Sequence, residues 1–164
     1  MSGRAYIFIN YKQAARFGHI GWGFSLDDGS VFFGSTDHLY RHKWWDLYGW
    51  IKYMFVPPAQ HTDWWAEIGS EASMLETMKA GHHIRYHAYK IITVDHPSPD
   101  RARQAAESMK LAGWTVLGNN CIDQAYRIVQ DFGGAHQLPA PYGAVAHLIP
   151  RKWFAAIESE SRYL

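Results

Sequence analysis

The stretch HIGWGFSLDDGSVFFGS, His19 to Ser35, decides the architecture. Two runs of aromatic and β-branched residues, His19 to Leu26 and Ser30 to Ser35, flank Asp27-Asp28-Gly29. An Asp-Gly pair between such runs predicts a β-hairpin. In its first strand His19, Gly21 and Gly23 share one face, and Ile20, Trp22 and Phe24 share the other. The glycines leave space beside the imidazole for a substrate or a packed helix end. Reflecting the hairpin about Asp28 sets Asp37 opposite His19, with Thr36 and His38 inside the register error.

Outward from the hairpin, Ala5 to Asn10 (AYIFIN) reads as a preceding strand. Ile84 to Val94 alternates and then turns continuously apolar, as a strand entering a core does. Ser98-Pro99-Asp100 predicts a helix start, Ala102, Ala105, Ala106 and Met109 follow at helical spacing, and Gly113 ends the helix. Trp114 to Leu117 reads as a short strand or extended lead-in. A second helix opens at Gly118-Asn119-Asn120-Cys121, with Asn120 as N-cap and Asp123 at the capping-box position. Ile122, Ala125, Tyr126 and Val129 form its apolar stripe, and Gly133-Gly134 stops it. A short helix is expected from Pro150, within His147 to Ile157. Between Asp37 and Gly81 the aromatic clusters Trp44-Trp45, Trp50 and Trp64-Trp65 suit short helices or an aromatic-rich insertion, at about residues 39–80. Those rings either pack over one sheet face or line an apolar groove.

The chain has 164 residues, 48% of them apolar and 19% charged, with a net charge of +1. That suits a single domain with a real core and excludes a disordered tail. No basic run or stripe stands out, so no nucleic-acid partner is expected. Met1 to Asn10 is too short and too quickly polar for a signal peptide. Trp44 to Pro58 is broken by Asp46, Gly49, Lys52 and Pro57-Pro58, so no transmembrane segment is expected. The expected location is cytoplasmic, or exported by a route needing no signal peptide. Oligomeric state is not legible.

A single cysteine excludes an internal disulfide and a cysteine-based zinc site. The histidine pairs His38/His42 and His83/His87 are about what ten histidines placed at random would produce, and no H-E-x-x-H accompanies them. Neither a metal nor a cofactor is expected.

Cys121 falls in the first turn of its helix. There the unpaired N–H groups and the macrodipole are expected to lower its pKa and to hold an oxyanion. The plain alternative is a buried cysteine acting as a small hydrophobe. A thiol nucleophile needs a base, and the glycine-flanked His19 is the candidate. Asp37 or His38 would orient the imidazole.

A strand histidine in His19-Ile20-Gly21, polar residues on the next strand within Gly34 to His38, and Asn119-Asn120-Cys121 opening a helix resemble the circularly permuted papain-like superfamily. That group includes permuted NlpC-type peptidases and lecithin–retinol-acyltransferase-like proteins. The histidine precedes the cysteine here, the order of the permuted branch. The resemblance implies an α+β fold, an antiparallel sheet packed against a cysteine-bearing helix, and cysteine acyl-transfer chemistry on a peptide amide or a lipid acyl ester. Cys121 would attack the carbonyl, His19 would take and return the proton, and Asp37 or His38 would fix its tautomer. The Cys121 N–H and the Asn120 side chain would support the oxyanion. A different class stays open: a non-catalytic binding module for lipid, glycan or protein on the same scaffold.

Overall fold

A computed structural model of the chain describes residues 2–37, 48, 55–56 and 63–164. The strands are β1 (Gly3–Asn10), β2 (His19–Ser25), β3 (Val31–Thr36), β4 (Phe55–Val56), β5 (Trp64–Gly69), β6 (Ala88–Val94), β7 (Trp114–Thr115) and β8 (Arg162–Tyr163). Four α-helices lie among the described residues: α1 (Glu71–Ala80), α2 (Pro99–Ala112), α3 (Cys121–Phe132) and α4 (Pro150–Ala156). Six strands form one antiparallel sheet in the order β5-β3-β2-β1-β6-β8, and β4 pairs with β7. The fold is α+β, an antiparallel sheet packed against the cysteine-bearing helix α3.

The sheet is covered on both faces, which explains why β1 is apolar at nearly every position instead of alternating. Ala5, Ile7 and Ile9 join Ile20, Trp22 and Phe24 under α2, α3 and α4. Tyr6 and Phe8 join Phe33, Tyr86 and the α1 residues Met74 and Met78 on the opposite side. The hairpin forms as its Asp-Gly turn predicts, with Trp22 opposite Gly34 and Ser25 opposite Val31. Continued in that register, His19 falls opposite Asp37.

Residues 64–80, read from the sequence as part of an aromatic insertion, form a sheet strand and a helix. Trp64 and Trp65 alternate across β5. The Trp64 indole donates to the Ala106 carbonyl of α2, and Trp65 packs with Phe33 on the α1 side. These two rings therefore serve both sheet faces. Ser70 caps α1 by accepting from the Ser73 N–H. Trp44, Trp45, Trp50 and His38 lie outside the described residues. No described helix is long and apolar enough to cross a membrane.

Candidate active site

Helix α3 begins at Cys121 because Asn120 stops the chain from entering it earlier. The Asn120 Oδ1 accepts from Ile122 N at 2.8 Å and Asp123 N at 3.2 Å, and Asp123 Oδ2 accepts from Asn120 N at 3.0 Å. This is the reciprocal capping box. The Asn120 Nδ2 donates to the Val116 carbonyl at 2.8 Å. Asn120 thus holds the helix start through both ends of its amide, with its Nδ2 carrying a second N–H beyond the one given to Val116. Asn120→Ala is expected to cost about 1–2 kcal/mol, read as a lowered urea midpoint with an unchanged slope.

The β2–β3 ladder ends at Trp22–Gly34. One step on, Ile20 still faces β3, and its carbonyl is met at 3.5 Å by the Ser35 hydroxyl. Its N–H, with those of Cys121 and Ile122, lies near enough to the Cys121 sulfur to favour its charged form. That Ile20 N–H belongs to the peptide linking His19 to Ile20. The helix start thus inserts its thiol where two strands part, one peptide from the histidine. A second tie sits beside it: Thr36 Oγ1 donates to Gln124 Oε1 at 2.6 Å, joining the end of β3 to the first turns of α3.

On the opposite face, His19 enters a buried polar cluster. Its Nε2 lies 3.1 Å from Ser35 Oγ and 3.7 Å from Asp37 Oδ1. Tyr86 directs its hydroxyl at Ser35 Oγ, 2.7 Å away, and at Asp37 Oδ1, 3.2 Å away. Trp65 Nε1 donates to Asp37 Oδ2 at 2.7 Å. Asp37 therefore joins His19 as expected, but Ser35 is the nearer partner. Ser35, Tyr86 and Gln124 were not singled out from the sequence, and Trp65 was named only as part of an aromatic cluster. Ser35 had a signal: it is a small polar residue on a buried strand, sharing the face of His19. Tyr86 and Trp65 had none, since only tertiary packing brings them there.

The space left by Gly21 and Gly23 is filled by Tyr86 and by Met74 and Met78 of the packed helix α1. A Cβ at Gly21 would sit 2.8 Å from the Tyr86 ring and 3.0 Å from Met78, and one at Gly23 would sit 3.0 Å from the Met74 sulfur. Glycine at 21 admits Tyr86 to the cluster. Gly21→Ala is expected to push that ring aside and cost about 1–3 kcal/mol, measured by urea unfolding.

Burial governs the electrostatics. The Cys121 thiol is 7% exposed. Burial pushes it up to about 12, and the N–H groups of Ile20, Cys121 and Ile122 offset only part of that. The expectation of a lowered thiol pKa is thus overturned: the helix start acts in the expected direction, and desolvation outweighs it. Burial also raises the Asp37 carboxyl, against the bonds from Ser35, Trp65 and Tyr86. Tyr86, raised well above its ordinary value by burial and the Asp37 charge, stays a phenol donor.

The thiol has a consequence for stability. The folded chain holds its proton more tightly than the unfolded chain, so this contribution is whole below the ordinary value of 9.0 and lost as pH rises toward about 12. The expected loss is roughly 3 kcal/mol by about pH 11. Urea unfolding at about pH 8 and about pH 11 should show Cys121→Ala lacking that share of the alkaline decline.

Among the described residues no group of three histidine, cysteine or acidic side chains is placed to hold a metal ion. A surface depression of about 240 Å³, lined by Arg101, Gln104, Ser108, Arg127 and Asp131, lies on α2 and α3 and includes no residue of the cluster. No protein-family model, curated protein or solved structure matches the chain.

Proposed function

We propose that the protein is a thiol-dependent hydrolase or acyltransferase that works on an amide or ester carbonyl through Cys121 and His19. The observation that carries this reading is the place of Cys121, at the capped start of α3 and packed beside β2, the strand that His19 heads. The resting thiol is neutral, so no standing thiolate is needed; its proton has to pass around the parted strand end to His19, directly or through a bound water, as the sulfur attacks. The S–C bond forms, the carbonyl electrons move to oxygen, and the N–H groups of Ile20 and Cys121 stabilise that charge. Collapse expels the amine or alcohol, which leaves with the proton from His19. Water or an acceptor alcohol or amine then cleaves the thioester, with His19 taking and returning a proton again. The resemblance to the permuted papain-like superfamily supports the same assignment. The test is turnover of p-nitrophenyl esters and of a peptide p-nitroanilide series by wild type and Cys121→Ser. Loss of turnover in the variant is expected; equal turnover overturns the proposal.

A specific observation favours a second reading. A thiol 7% exposed and pushed up to about 12 behaves as a structural cysteine does. On that reading the chain is a non-catalytic binding module, neither wild type nor Cys121→Ser turns over any acyl probe, and ligand binding survives the substitution.

A further inference from the structure

We propose that the end of the sheet bearing His19 and Cys121 docks on an anionic lipid surface. Three segments meet there, residues 11–18, 111–120 and 139–152, made of turns and the ends of α2, β7 and α4. The Arg151 N–H donates to the Phe17 carbonyl at 3.0 Å, and Arg151 Nη1 donates to the Arg16 carbonyl at 3.3 Å. The Gly118 N–H donates to the Tyr142 hydroxyl at 2.6 Å. Two of these segments run directly into the site residues, the first into His19 and the second into Cys121.

The three segments share two properties. They present large apolar side chains to solvent: Phe17 is 56% exposed, Leu117 70% and Val145 84%, with Tyr142 and Leu148 also outward. None of the three holds an aspartate or glutamate, although the whole chain has 15 acidic residues against 16 basic ones, and the first and third hold the exposed cations Lys12, Arg16, Arg151 and Lys152. Asp123, on the adjoining first turn of α3, is engaged by the Tyr142 hydroxyl and the Asn120 N–H. Aliphatic and aromatic tips rimmed by cations suit a surface that takes apolar groups below a layer of anionic headgroups.

The first loop is held in a costly conformation that keeps Phe17 outward. Ala14 and Arg16 have φ of 50° and 72°, in the left-handed region that residues with a Cβ seldom occupy. Buried Asn10 enforces it, its Oδ1 accepting from Lys12 N at 2.6 Å and Gln13 N at 2.9 Å.

This inference rests on the loop surface and not on the thiol chemistry, so Cys121→Ser is expected to bind as wild type does. The experiment is co-sedimentation of the full chain with vesicles of phosphatidylcholine alone, and with about 30% phosphatidylglycerol added. Binding to the anionic vesicles is expected, weakening in high salt. Leu117→Asp/Val145→Asp and Arg16→Glu/Lys152→Glu should each reduce it about tenfold or more, with unchanged far-UV circular dichroism. Three results would each overturn the proposal. They are no sedimentation with either vesicle, binding indifferent to both double variants, and a concentration-dependent dimer in solution abolished by the same variants, which would assign the face to a second copy of the chain.

Discussion

His19→Ala is expected to slow turnover of an acyl ester at neutral pH by about a hundredfold or more, with KM little changed. The reason is the protonation state of the nucleophile. A thiol that burial holds up near 12 is almost wholly protonated at neutral pH, so attack needs a base in the same step. His19 heads the strand whose next N–H lies near the sulfur. Removing the imidazole takes away the proton acceptor and leaves the thiol and its helix start in place; it also takes a buried partner from Ser35 and Asp37, so urea unfolding of the same preparation separates lost stability from lost rate. Added imidazole is expected to restore part of the rate in His19→Ala and none in Cys121→Ser. A variant as fast as wild type would remove His19 from the reaction.

Asp37→Ala is expected to cost about 3 kcal/mol of stability and to lower turnover about tenfold or more. The carboxylate is 3% exposed and accepts the Trp65 indole N–H and the Tyr86 hydroxyl. Truncation leaves the Trp65 N–H buried without its acceptor and the Tyr86 hydroxyl with Ser35 Oγ alone. It also leaves the imidazolium formed during attack without the carboxylate 3.7 Å from its Nε2. Asp37→Asn separates the two effects. The amide keeps an acceptor oxygen and carries no charge to desolvate, so the stability loss is expected to shrink while the rate loss persists. Urea unfolding and initial rates on the same preparations read both quantities. An Asp37→Asn variant with full turnover would show that Ser35 alone orients the imidazole.

How much of this was legible follows from the range of each signal. The hairpin and its register came from a period of two and an Asp-Gly turn, both local, and they placed Asp37 opposite His19 across the sheet. The start of α3 was equally local: Asn120 and Asp123 form the capping box that their spacing announces. The strand β5 was not legible because Trp64 and Trp65 face opposite sides and Glu67 and Ile68 stand exposed at the sheet edge, which hides the alternation. Helix α1 was missed because only Met74 and Met78 are fully buried along it. Tyr86 reaches the cluster through a gap left by Gly21, a contact 65 residues away in sequence that no local pattern encodes. The sign of the Cys121 shift failed for a related reason. A helix start is visible in sequence, whereas burial by the sheet beneath it is set by packing between distant segments.

The most direct test of the central claim is intact-mass spectrometry of the protein after brief exposure to a p-nitrophenyl acyl ester at neutral pH, wild type beside His19→Ala. The account predicts an acyl adduct that maps to Cys121 in wild type and forms about a hundredfold more slowly without the imidazole. An adduct forming at the same rate in both proteins, or none on Cys121 in either, would contradict it.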